Sequence, residues 1–200
     1  AITVTPKHGF KNLADLVAYA KANPGKLNYG NDQPGGSSHV AAAMFERALG
    51  IRFIKVPYAG FAPTVQALLS GEIDMASIAL PDVVEHHHAG KVRILGVASQ
   101  ERHFKAPDVP TFREQGYDVI SGLWRVIAAP KGIPADRLKV LESKLLETLS
   151  DQAFQEKARA AGFLVTPMGA ADAKKRWDAD DAAMYPVFLE AGLVKTRRKK

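Results

Sequence analysis

From residue 12 to residue 99 the chain alternates short apolar runs with amphipathic helices, the changes marked by Gly or Pro, without an internal sequence repeat. Leu13, Leu16, Val17 and Ala20 fall at i, i+3, i+4 and i+7, one apolar helix face, with Asn12 as N-cap and Pro24-Gly25 as the stop. A strand over Lys26–Gly30 leads through the Gly-rich loop Asn31–Gly36 into a helix over Ser37–Leu49. Arg52–Pro57 reads as the next strand, and Pro63 suits the first turn of a helix that ends at Gly71. Glu72–Ile78 is a strand, Pro81–Ala89 a short helix ended by Gly90, and Val92–Ala98 a continuous apolar strand. Strands joined by single helices form right-handed βαβ units, hence a parallel sheet with helices on both faces. The fold class is α/β, doubly wound.

After Ala98 the pattern changes. Ser99–Gly116 is turn-rich, Leu123–Ala129 reads as a buried strand, and Pro134 opens a helix with the stripe Leu138, Leu141, Leu145 and Leu149. A helix over Gln152–Ala161, a strand over Phe163–Thr166 and a helix over Ala170–Ala191 follow. Two long helices with one or two strands do not complete an α/β layer, so this part is expected to pack against the rest or against something else.

Composition excludes several classes. With 46% hydrophobic and 24% charged residues the chain is an ordinary globular one, and the absence of Cys removes disulfide scaffolds, thiol catalysis and cysteine-ligated zinc. No apolar run reaches the roughly 18–20 residues that span a bilayer. The net charge of +6 invites a nucleic-acid partner, but Lys195, Arg197, Arg198, Lys199 and Lys200 supply most of it. Without those five, the 27 Lys and Arg nearly balance the 21 Asp and Glu, so no nucleic-acid-binding face is expected. The sequence opens on Ala1 with no charged-then-apolar leader and reads as processed or excised, with no targeting signal in view.

Three strand-to-helix junctions carry the candidate chemistry. In Asn31–His39 the glycines let backbone approach a ligand, Ser37 and Ser38 offer hydroxyls, and a helix N-terminus points N–H groups outward. The loop is neither GxGxxG nor a P-loop, so no nucleotide cofactor is expected. The junctions Val56–Thr64 and Ser77–Pro81 also follow strands, and strand C-termini of a parallel sheet share one edge, so the three converge on one crevice. His86, His87 and His88 are consecutive and therefore point in different directions, which suits a solvated helix end better than a metal site. No Ser–His–Asp or paired-carboxylate arrangement can be specified.

Four stretches, Ala18–Gly30 (AYAKANPGKLNYG), Val56–Asp74 (VPYAGFAPTVQALLSGEID), Gly90–Gly116 (GKVRILGVASQERHFKAPDVPTFREQG) and Ala128–Pro134 (AAPKGIP), together with Ala191-Gly192-Leu193, resemble the solute-binding receptors of tripartite tricarboxylate transporters, the Bug family. The resemblance covers nearly the whole chain. It implies a two-lobed, type II periplasmic binding fold that closes on a small carboxylate and presents it to a membrane permease. It places the family's Gly-Ser loop on Gly35, Gly36, Ser37 and His39, and its second loop on Tyr58, Ala59 and Gly60. Its third ligand-facing segment falls on Ser77, Ile78 and Ala79, and the strand with Trp124 and Arg125 on the return through the hinge.

Two departures from the family pattern stand out. Ile78-Ala79 replaces an Asp-Asn pair, and Asn31-Asp32 replaces small hydroxyl residues, where a carboxylate repels an anion unless turned outward. These changes point to a less polar carboxylate, aromatic or branched, rather than an amino dicarboxylate. The resemblance further implies that residues 6–121 form a complete ligand-binding lobe, with 1–5 and 122–200 supplying the hinge strand and the C-terminal part of an incomplete first lobe. A fragment, or self-association that covers the incomplete lobe, is expected. The function expected is that of a periplasmic, non-enzymatic carboxylate receptor. Two other classes compete: a cytoplasmic ligand-sensing effector domain of the same fold, and an enzyme built on the Ser–His loop.

Overall fold

The computed structural model describes residues 1–122 and 124–194; the basic terminus from Lys195 to Lys200 and Leu123 lie outside the described residues. The described residues form two compact units, 1–122 with 187–194, and Trp124–Pro186.

The first unit is built on a five-stranded sheet of β1 (Ile2–Val4), β2 (Asn28–Asn31), β3 (Ile54–Pro57), β4 (Met75–Ser77) and β5 (Arg93–Gly96), in the order β3-β2-β4-β1-β5. β2 runs parallel to β3 and β4, and β1 runs antiparallel to β4 and β5. Four strands therefore point one way, and the sheet is mostly parallel. The exception is β1, which lies within residues 1–5 and inserts a reversed strand between β4 and β5. Ile2 and Val4 are buried there, and the insertion pairs the backbone of β4 and β5 on a side that would otherwise stand open.

Helices α1 (Leu13–Ala22), α2 (Ser37–Leu49), α3 (Phe61–Ser70) and α4 (Leu80–His88) cover the sheet. The period-2 alternation of the strands sorts the core. Tyr29, Met75 and Leu95 pack with Leu16 of α1 and Phe45 of α2, whereas Ala76 and Ile94 pack with Leu68 of α3 and Val83 of α4. Helices thus lie on both faces, two to each. On the α1–α2 side Phe45 stacks on Phe112 with centroids 4.8 Å apart, and Tyr29 stacks on Phe53 at 5.2 Å.

Local signals set the helix ends. Asn12 Oδ1 accepts from Asp15 N–H at 2.8 Å, as expected of an N-cap, and Gly50 and Gly71 end α2 and α3 in the left-handed conformation. Buried Asp74 joins the segment after β1 to the sheet: it lies 2.6 Å from Lys7 Nζ and 2.8 Å from His8 Nε2, and accepts from Asn28 N–H at 2.7 Å. Burial alone would raise its pKa, but these three partners hold it below the ordinary carboxylate value.

The second unit contains α5 (Ala135–Ser150), α6 (Gln152–Ala160) and most of α7 (Ala170–Glu190). Its two expected strands are absent: neither 124–129 nor 163–166 pairs with a neighbour among the described residues. An extended segment becomes a strand only with a partner, and here Trp124 packs edge-on against Trp177 at 5.7 Å while the Arg125 guanidinium sits 5.6 Å from the Phe163 ring centroid. Ile127 is 71% exposed, and the α5 stripe is open as well, with Leu141 49% exposed. Among the described residues no helix is long and apolar enough to cross a membrane.

Candidate ligand site

The three junctions start from one line across the sheet. Asn31 pairs with Pro57, and Gly30 pairs with Ala76, which brings the ends of β2, β3 and β4 level. Tyr58 N–H donates to the Asn31 carbonyl at 2.7 Å, and Ala1 and Ile78 exchange two backbone hydrogen bonds at 2.9 and 3.1 Å. Gly35, Gly36, Ser37, His39, Tyr58, Ala59, Gly60, Ser77, Ile78 and Ala79 consequently all lie on elements leaving the same edge.

At the β2–α2 junction the structure departs from an open anion seat. Asp32 folds back over the start of α2: Oδ2 accepts from Ser37 Oγ and Ser38 N–H, both at 3.2 Å, and Oδ1 accepts from His39 N–H at 3.1 Å. Its own N–H donates to Ser38 Oγ at 2.6 Å. The positive end of a helix attracts such a carboxylate and its free N–H groups bind it. Gly36 makes room, because a Cβ at that position would collide with the Asp32 carboxylate. The N–H groups of Ser38 and His39, expected to meet the ligand, are therefore already engaged. The His39 ring is also occupied, its Nδ1 accepting from Gly35 N–H at 3.1 Å. The hydroxyls and the imidazole hold the loop and are not arranged as nucleophile and base.

Below this loop lies a buried polar layer. Tyr29 donates its hydroxyl to the Ser38 carbonyl at 3.2 Å and also meets Ser77; burial holds the phenol far above its usual range, the Ser77 contact only partly offsetting it. Asn31, only 3% exposed, donates from Nδ2 to the Asp32 carbonyl. Its Oδ1 is buried and has no hydrogen-bond partner among the described residues.

The other junctions redirect two expected side chains. Tyr58 contributes backbone to the edge, but its ring packs close to Gly30 and its hydroxyl donates to Glu72 at 2.6 Å. Desolvation and that bond push the phenol up to about 12. Ile78, which follows Ser77 and so faces the opposite side of the strand, buries its side chain in the α3–α4 core, and Ala1 takes both its backbone groups. Gly60 stands at the start of α3 with φ +111°, a conformation that favours glycine. Neither α3 nor α4 carries a side-chain N-cap. The roles of Asp32 as a cap and of Asn31 as an orphaned acceptor were not foreseen; the clue is two polar residues where small ones leave a strand.

Elsewhere, His87 accepts from Ile94 N–H at 3.3 Å and lies 3.4 Å from Asp108. Among the described residues no three His, Asp or Glu side chains are grouped to hold a metal.

A mostly parallel sheet layered by helices, with βα loops gathered at the strand ends, is an α/β ligand-binding architecture. The sequence pattern described as "Tripartite tricarboxylate transporter family receptor" matches residues 1–190, and the chain belongs to that family. Protein BugT of Bordetella pertussis is 30% identical over 162 residues, which are 80% of this chain and 50% of BugT. Among solved structures, the R. palustris protein with adipate superposes with a TM-score of 0.85 at 26% identity, over 96% of this chain and 64% of that one. The periplasmic binding protein BugD superposes with a TM-score of 0.84 at 29% identity, over 98% and 66% respectively. The chain spans about half the length of the curated relatives it matches.

Proposed function

We propose that this chain is the ligand-capturing part of an extracytoplasmic solute-binding protein that delivers a small carboxylate to a tripartite tricarboxylate-type permease, without chemical turnover. The observation that carries the reading is the level alignment of the β2, β3 and β4 ends, which gathers three βα loops on one edge. The likeness to a protein solved with adipate supports a carboxylate, and the likeness to periplasmic BugD supports a periplasmic location. Binding rather than catalysis is favoured by the β2–α2 loop, where Ser37, Ser38 and His39 are spent on holding Asp32 and Gly35. Backbone at Ala59 and Gly60, with Ser77 and Ala79, would meet the ligand.

Calorimetric titration of the chain with aliphatic carboxylates of four to six carbons tests this. Saturable binding accompanied by a rise in Tm is expected. Hydrolysis of ester or amide substrates, with no carboxylate raising Tm, would overturn it.

A further inference from the structure

Two neighbouring side chains give the β2–α2 corner a chemistry of its own. The Asp32 carboxylate sits on the first N–H groups of α2, so the corner already contains an anion bound where an incoming anion would be stabilised. Beside it, Asn31 Oδ1 is buried without a partner, and such a group costs free energy until something donates to it. Period-2 alternation puts Asn31 on the same side of the sheet as Tyr29, the side that carries α2. Asn31 Nδ2 is engaged by the Asp32 carbonyl, so the corner offers acceptors: one neutral and orphaned, one charged.

Resting on the carboxylate-binding reading, we propose that Asn31 and Asp32 determine specificity by admitting a hydrogen-bond-donating end of the ligand, hydroxyl or amine, and refusing a second carboxylate. The preferred solute is then a monocarboxylate whose far end donates, and its dicarboxylate counterpart is disfavoured. A donor would satisfy Asn31 Oδ1, whereas a second carboxylate would bring like charge against Asp32 and leave Asn31 unsatisfied.

The test is a calorimetric panel on the full chain, using matched skeletons of four, five and six carbons. Succinate, glutarate and adipate are each compared with the ω-hydroxy acid and the plain monocarboxylate of the same length. The ω-hydroxy acid is expected to bind at least about tenfold tighter than the dicarboxylate, the scale set by one like-charge contact. In Asp32→Asn, which keeps an acceptor for the helix N–H groups, that ratio should shrink by about tenfold. In Asn31→Leu the preference for the ω-hydroxy acid over the plain acid should disappear. Circular dichroism of both variants checks that they fold. Equal or tighter dicarboxylate binding by the unaltered chain, or an unchanged ratio in Asp32→Asn, would overturn the proposal while leaving the carboxylate reading intact. Failure of every monocarboxylate and dicarboxylate to bind would remove that reading and this inference with it.

Discussion

The first unit and the second contain helices with similar apolar stripes, yet only those of the first are buried. α1 and α2 press Leu16 and Phe45 onto a sheet whose alternate residues receive them. α5 has a stripe of equal quality in Leu138, Leu141, Leu145 and Leu149, and no residue of it is buried. Amphipathicity therefore states what a helix is able to cover, and the sheet decides whether anything is there to be covered.

The contrast can be broken most directly by truncating one residue of each stripe. Phe45→Ala removes a ring stacked on Phe112 and should cost about 3–5 kcal/mol, read from chemical denaturation of the first unit. Leu141→Ala, on the exposed stripe, should change stability by less than about 0.5 kcal/mol in the same experiment. A comparable loss at Leu141 would mean that the stripe is covered after all.

A buried ion-paired group should mark the first unit with a pH dependence. Asp74 has a depressed pKa when folded, so its contribution to stability is fully present above the unfolded value of about 4 and is lost as pH falls through the lower folded value. Asp74→Asn should destabilise by roughly 1–3 kcal/mol at pH 7 and flatten the loss of stability below about pH 4. An unchanged acid profile would show that other carboxylates govern it.

Tyr58 sharpens the distinction between site and scaffold. Because its hydroxyl is tied to Glu72, Tyr58→Phe should cost roughly 0.5–2 kcal/mol of stability and leave carboxylate affinity nearly unchanged. A large affinity loss at constant Tm would return the hydroxyl to the ligand.

Much of the first unit was legible in the sequence because its signals are local. Gly36 and Gly50 bracket α2, so Ser37–Leu49 is legible to the residue, and the βαβ rule alone brings the three junctions to one edge. The place of β1 in the sheet is not legible, because three residues have too little period to register and its partners lie far along the chain. The apolar run Leu123–Ala129 suggests a strand from sequence alone, but burial and pairing are not written in a hydrophobic run. At the site, backbone positions were legible and side-chain destinations less so. Ile78 could have been assigned to the core from its alternation with Ser77, but the Tyr58–Glu72 bond and the return of Asp32 onto α2 depend on tertiary geometry.

The reversed strand between β4 and β5 has a consequence in time. Ile2–Val4 is made before either neighbour, Met75–Ser77 and Arg93–Gly96. At ribosomal rates of about 5–20 residues per second, it waits roughly 5–20 s for the second of them to emerge. Until then β4 has an open flank and β1 has no complete seat. An interior position of the sheet, paired on both sides in the finished fold, is here among the last places to close.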